Sequence, residues 1–398
     1  MGHRMTKVSA CASFFSLLIL CSCPAFAADT ASTDQLKPLI TRELKSVVVV
    51  SRHGVRSPTQ NAETLAKWST HPWPNFGVPA GYLSERGFDL IKQSWAFEAK
   101  SSPFVHAACP NPDEIQVIAD IDERTVKTAE AILAGAYPGC KIPIHVTASK
   151  ASGIFNPLKA RVCKIEKSSS LAEKLTKKAS KIPSAYSEQI AKISEITGVD
   201  FQGDIKGDAS KRKVKLQGGP VNAATIAEIF ALEWGQFPGE NVGWGSVDQK
   251  VLDSLMPLRV AVFSALNRDL EVARYRGSSL ASKIIESLDN GPKYTFLVGH
   301  DTNLANLGAI FDLNWQLPGR ARNENTPGGF LKFEKWEVNG IPELWVSYNA
   351  ISPSQMHSQT LTEPPAEVQI YPGGTPYESW KYKAKIRLMD KCVSHQGF

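Results

Sequence analysis

The apolar positions of this chain fall into two periods, and their alternation lays out the fold. Val47 to Val50 are four consecutive β-branched residues, a run dense enough to predict a strand buried on both faces. Ile115 to Ala119, Ile142 to Val146 and Tyr294 to Val298 read the same way. Between these runs the period lengthens. Phe88, Ile91 and Trp95 recur at helical spacing after a Ser84 placed to act as an N-cap, a second helix runs through Ala131 to Tyr137, and Asn303 to Phe311 gives another. Strands alternating with helices imply a parallel-type α/β sheet. Phe330 to Val338 and Glu343 to Tyr348, joined around Asn339-Gly340, predict a hairpin with a tight turn. Trp68 to Tyr82, rich in Trp, Pro and Gly, predicts an irregular surface loop.

From Lys164 to about Val247 lysine, serine and alanine dominate and helical patterns outnumber strand patterns, Val221 to Trp234 being the clearest. The expected division is therefore an α/β domain from residues 28–163 and 248–398, with a smaller helical domain over 164–247. Asp248 to Leu288 continues as helix, with a bend expected at Pro257.

Polar residues cluster where three of the strand runs end. The first delivers Arg52, His53 and Arg56, the second Asp120, Asp122 and Arg124, and the third His300 and Asp301. Ligands of open α/β sheets sit beyond the carboxyl ends of the strands. Parallel strands in one sheet would bring all three clusters to one edge. Two guanidiniums flanking an imidazole suit a tetrahedral dianion, because arginine offers paired donors. Such a set supports phosphoryl transfer without a metal or other cofactor: a histidine attacks phosphorus, arginines neutralise its oxygens, and a carboxylic acid protonates the leaving oxygen. Each cluster also has a plain reading, as a surface charge or a helix cap; Asp120 and Asp122 in particular precede a helix.

Composition narrows the setting. His3, Arg4 and Lys7, an apolar stretch from Ala10 to Leu20, and Ala25-Phe26-Ala27 form a secretory signal peptide over residues 1–27. Leu20-Cys21-Ser22-Cys23 has elements of a lipidation box, but the Ala-x-Ala site lies just beyond it. No later segment approaches transmembrane length, so no membrane partner is expected of the mature chain. A formal net charge of +6, spread along the sequence, is not a nucleic-acid signature. Lys206 to Lys215 is locally basic and reads as a solvated loop, or else as a rim for an anionic substrate. His71, His106 and His145 show no metal-ligand spacing and read as structural or surface residues. Cys109, Cys140, Cys163 and Cys392 remain after the signal peptide; an even count in an exported chain favours two disulfides, with three pairings open.

Arg-His-Gly-x-Arg-x-Pro at residues 52–58, with the distant Gly299-His300-Asp301, resembles the histidine acid phosphatases, branch two of the histidine phosphatase superfamily. Ala119 to Thr128, Phe155-Asn156-Pro157-Leu158, the run from Thr302 to Gly308, Leu313-Asn314-Trp315 and Thr326 to Gly329 extend the likeness to bacterial periplasmic phytases, while residues 164–220 match poorly. The resemblance implies a mixed central sheet flanked by helices, of phosphoglycerate-mutase type. It implies His53 as nucleophile through a phosphohistidine, Asp301 as proton donor, and Arg52, Arg56, Arg124 and His300 as phosphate ligands. Thr59 and Gln60 would line the substrate side, and related phytases often carry Lys where Gln60 stands. The cysteines would pair 109 with 140 and 163 with 392. The expected function is a monomeric, periplasmic or secreted acid phosphomonoesterase acting on phytate, with a sugar-phosphate (glucose-1-phosphatase-like) or broad-specificity phosphatase as the alternative. An acidic optimum follows from the need for a protonated carboxyl group.

Overall fold

The computed structural model describes residues 41–101, 109–146 and 152–394; the expected signal peptide and His106 lie outside them. Its strands are β1 (Arg42–Arg52), β2 (Ile115–Ala119), β3 (Ile144–Val146), β4 (Lys206–Ala209), β5 (Val214–Gln217), β6 (Tyr294–Gly299), β7 (Phe330–Val338), β8 (Ile341–Ala350), β9 (Ala366–Gln369) and β10 (Thr375–Pro376). The helices of the first half are α1 (Ala62–Ala66), α2 (Glu85–Ser101), α3 (Glu123–Ala136), α4 (Ser168–Ala179), α5 (Ile182–Ala185) and α6 (Ser187–Thr197). Those of the second are α7 (Gly219–Gln236), α8 (Gln249–Asn267), α9 (Leu270–Asn290), α10 (Asp301–Ile310), α11 (Pro353–His357) and α12 (Tyr377–Lys385).

Eight strands form one mixed sheet in the order β10-β8-β7-β1-β6-β2-β3, with β9 also on β8. β1, β6, β2 and β3 run parallel, while β7 and β8 run antiparallel to their neighbours. The central strands are covered on both sides, which is why they read as continuous apolar runs. Val47 and Val49 face Trp95 of α2 and Ile132 of α3, whereas Val48 and Val50 face Ile284 of α9, Leu304 of α10 and Tyr377 of α12. Burying one such valine contributes about 1.5–3 kcal/mol. A third apolar cluster runs through α4 and α6 to α8 and includes Val55 and Leu90 from around the first motif.

Three details differ from the sequence reading. β1 begins at Arg42, because its first residues pair with β7, where the Arg42 guanidinium lies 4.0 Å from the Trp336 ring and 4.4 Å from the Trp345 ring. The helical run expected over Asp248 to Leu288 is two helices: α8 contains Pro257 in its interior, and the division falls at Asp269, whose carboxylate accepts from the amides of Glu271 and Val272 and starts α9. The basic run Lys206 to Lys215 forms the β4–β5 hairpin rather than a loop, with Val214 and Leu216 turned inward. Disulfides join Cys109 to Cys140 and Cys163 to Cys392.

Candidate active site

The parallel register fixes where the polar clusters meet. Arg52 pairs with Gly299 across β1 and β6, and Ala119 pairs with Val298 across β2 and β6. His53, Asp120 and His300 therefore leave three adjacent strands at the same edge. Backbone bonds pin the first turn: the His53 amide donates to Gly299 (2.9 Å), and its carbonyl accepts from Gly328 (2.9 Å). Gly54 is required by packing, since a Cβ there would lie 3.0 Å from Ile91 and 3.1 Å from the Gly87 carbonyl. Gly87 is tighter still, because its Cβ would lie 2.0 Å from the Val55 carbonyl oxygen. These two glycines let the start of α2 press on the loop that follows β1.

A cavity of about 270 Å³ opens at this edge, with His53, Arg56, Asp120, Asp122, Arg124, His300 and Asp301 in its wall, together with Ser152, Asn156, Lys159 and Thr302. A larger cavity of about 600 Å³, between α8 and the loop around Arg320, holds none of the strand-end residues. Arg52 lies behind the wall, buried, donating to Glu228 and to the Asn325 carbonyl. Thr59 and Gln60 lie outside the wall, Thr59 exposed and Gln60 half-buried. The chain turns away at Pro58, whose carbonyl accepts from Gly81.

His53 is 2% exposed, and its Nδ1 lies 2.9 Å from the Gly54 carbonyl oxygen. A carbonyl only accepts, so Nδ1 carries the hydrogen, and in the neutral ring Nε2 keeps its lone pair. Burial first, then the charges of Arg56, Arg52 and Arg124, hold the imidazole well below its ordinary range. The ring stays uncharged in mild acid.

The acids are divided among the bases. Asp120 Oδ2 lies 2.9 Å from His300 Nε2, and Asp122 accepts from Arg124 Nη2 at 2.7 Å. Asp122 occupies the N-cap position of α3 but makes no side-chain capping bond, so its carboxylate serves Arg124 instead. Asp301 Oδ2 lies 3.0 Å from Arg259 Nη2 and 3.9 Å from Arg52. Asp120, Asp122 and His300 also place ligand atoms within 4.8 Å of one another, a spacing a divalent cation can use, although the Arg124 guanidinium occupies the same corner.

Glu228 and Arg259 escaped the sequence reading. Glu228 on α7 bridges Arg52 to Arg259, whose Nε donates to it at 2.9 Å. Burial alone would raise the Glu228 carboxyl, but Arg52 and Arg259 outweigh it and hold it down at about 2. The signal in the sequence was a lone acid inside the apolar run Ile226 to Phe230, and a lone base in Leu258 to Val262. Buried charges need partners.

Arg56 keeps most of its capacity free. Among the described residues its guanidinium makes one hydrogen bond, to the Ser57 carbonyl (2.8 Å), and has no carboxylate within 4 Å. The Nε donors of Arg56 and Arg124 are buried and unpartnered. Such donors also occur at Arg86 and Arg274. What distinguishes this pair is that both belong to the wall of one cavity, beside a buried neutral imidazole. Burial lowers the Arg56 guanidinium to about 10, which leaves it charged at any pH the fold meets. An anion in this cavity would lie beside both guanidiniums.

The chain belongs to the histidine phosphatase superfamily (branch 2), whose family model matches residues 43–349. It is 32% identical to Phytase AppA of Escherichia coli over 375 residues, covering 82% of this chain and 86% of the relative. It is 28% identical to a glucose-1-phosphatase of Providencia rettgeri over 366 residues, covering 81% and 84%. Among solved structures, Hafnia alvei phytase in complex with myo-inositol hexakis sulphate superposes with a TM-score of 0.81 at 30% identity, covering 89% of this chain and 99% of that one.

Proposed function

We propose that the protein is an acid phosphomonoesterase that hydrolyses phytate through a phosphohistidine, with His53 as nucleophile and Asp301 as proton donor. The observation that carries this is the bare Nε2 of a buried, neutral His53 in one cavity with two orphaned guanidinium donors and a carboxyl group. The phosphate sits against Arg56, Arg124 and His300, while Arg52 acts from behind the wall. The His53 Nε2 lone pair attacks phosphorus, the P–O ester bond breaks, and the leaving oxygen takes the proton of Asp301. Water then attacks phosphorus and gives a proton to the Asp301 carboxylate. The P–N bond breaks, and phosphate and free alcohol are the products. Because Asp301 must carry a proton while the ester is bound, the reaction runs in acid.

The phytate assignment is supported by the likeness to two phytases, one of them solved with a hexasulphated inositol. The disulfides support work in an oxidising compartment, periplasmic or secreted.

The test is phosphate release from phytate and from glucose 1-phosphate in mildly acidic buffer, with acid-quench trapping of labelled phosphate. Faster release from phytate and label on His53 are expected. A preference for glucose 1-phosphate would move the protein to the sugar-phosphate reading, and absence of trapped label would remove the covalent step.

A further inference from the structure

We infer that Lys159 is a specificity-determining residue that binds a second phosphate group on the substrate, next to the one being hydrolysed. The inference rests on the phytate reading above and follows from pairing off the charges around the cavity. Asp120 is matched by His300, Asp122 by Arg124, and Asp301 by Arg259. Two cations of the wall are left over. Arg56 lies one turn of chain from His53 and is taken up by the reacting phosphoryl group. Lys159 remains. Its side chain is exposed at the cavity, and among the described residues no carboxylate lies within 4 Å of its Nζ.

The position is held firmly enough to select. The Lys159 amide donates to the Asn156 side chain (3.2 Å), and the Asn156 amide donates to Ser152 (2.9 Å). The Phe155 carbonyl accepts from Asn303 on α10, whose side-chain oxygen in turn accepts from the His300 amide. The turn bearing Lys159 is thereby tied to the strand end bearing His300. An ammonium in the wall of the cavity that holds the reacting centre favours a ligand with anionic groups on neighbouring carbons over one with a single phosphate. Gln60, the other candidate for this task, is neutral and lies outside the wall.

The experiment compares kcat/KM for phytate and for p-nitrophenyl phosphate, at two salt concentrations, in wild type, Lys159→Gln and Lys159→Arg. Lys159 is exposed, so the variants fold. The phytate-to-aryl-phosphate ratio should fall about three- to tenfold in Lys159→Gln. The change should lie mainly in KM, with a weaker salt dependence, and Lys159→Arg should restore most of the ratio. A wild type that prefers phytate together with an unchanged ratio in Lys159→Gln overturns the role of Lys159 alone. A wild type that does not prefer phytate overturns the phytate reading and this inference with it.

Discussion

On the strand side of the cavity, His53, Arg56, Asp120, His300 and Asp301 follow the carboxyl ends of β1, β2 and β6; on the helix side, Glu228 and Arg259 come from α7 and α8. The first set lines the cavity, and Arg56 in particular keeps unused donors. The second set is saturated: each oxygen of Glu228 holds a different guanidinium, and Arg259 spans two carboxylates. The difference separates two kinds of work. On the proposed roles, a group that meets substrate, such as Arg56, keeps capacity free for it, whereas Glu228 and Arg259, which hold Arg52 and Asp301, spend theirs on each other. Substitutions on the strand side should therefore reduce rate while sparing stability, and those on the helix side should do both.

His53→Ala is the sharpest break. It removes the proposed nucleophile from a turn pinned by backbone bonds, so the fold should survive. Turnover should fall about 10⁴-fold or more, with thermal unfolding little changed. Activity near wild type would end the comparison at its strand side. Asp301→Asn should cost about 10²–10⁴-fold on phytate, and much less on an aryl phosphate, whose leaving oxygen needs no proton. Equal losses on the two esters would mean that Asp301 does not serve as the acid.

Glu228→Leu addresses the other side. It leaves Arg52, almost fully buried, and Arg259 without their shared carboxylate. Removing one partner of a buried ion network costs about 3–5 kcal/mol, so the urea midpoint should drop and activity should fall with it. A stable, inactive Glu228→Leu protein would place Glu228 with the substrate-facing groups instead.

How legible each side was from sequence follows the same division. Strand ends advertise themselves, because an abrupt change from Val47–Val50 to Arg-His-Gly marks both where the sheet stops and where chemistry begins. The Asn339-Gly340 turn was equally readable, since Asn339 takes a φ of 51° and Gly340 one of 80°, as the tight turn demands. Arg259 and Glu228 were hidden because their partners are remote in sequence, and a charge in an apolar helix names no partner. The β4–β5 hairpin was hidden for another reason: Lys211, Arg212 and Lys213 sit at its tip, and charge there masked the inward alternation of Val214 and Leu216. The division between α8 and α9 was hidden because it rests on one residue, Asp269, which caps α9 inside a stretch that is helical on both sides.

α7 carries a second carboxylate that refines the comparison, because it is buried like Glu228 but lacks a cation. Among the described residues Glu233 has only the Gly243 amide as a partner, at 3.0 Å, and its other oxygen is buried and unsatisfied. Burial drives its carboxyl up to about 7, against about 2 for Glu228 one and a half turns away. The unfolded chain releases this proton near an ordinary glutamate value of about 4.3, while the folded chain keeps it to about 7, so the folded state binds more protons between those values. Stability is full below about pH 4.3, declines through the interval and is lower above pH 7, by an amount on the order of 3 kcal/mol. Glu98 and Glu334, raised first of all by burial, act in the same direction. Glu228, held low, opposes only in stronger acid. Glu233→Gln should leave the melting temperature at pH 4 nearly unchanged, raise it at pH 8, and flatten the profile between. Parallel profiles for wild type and variant would show that Glu233 is solvated in the native state, and that an unpaired acid on α7 carries no penalty for lacking the guanidiniums that Glu228 has.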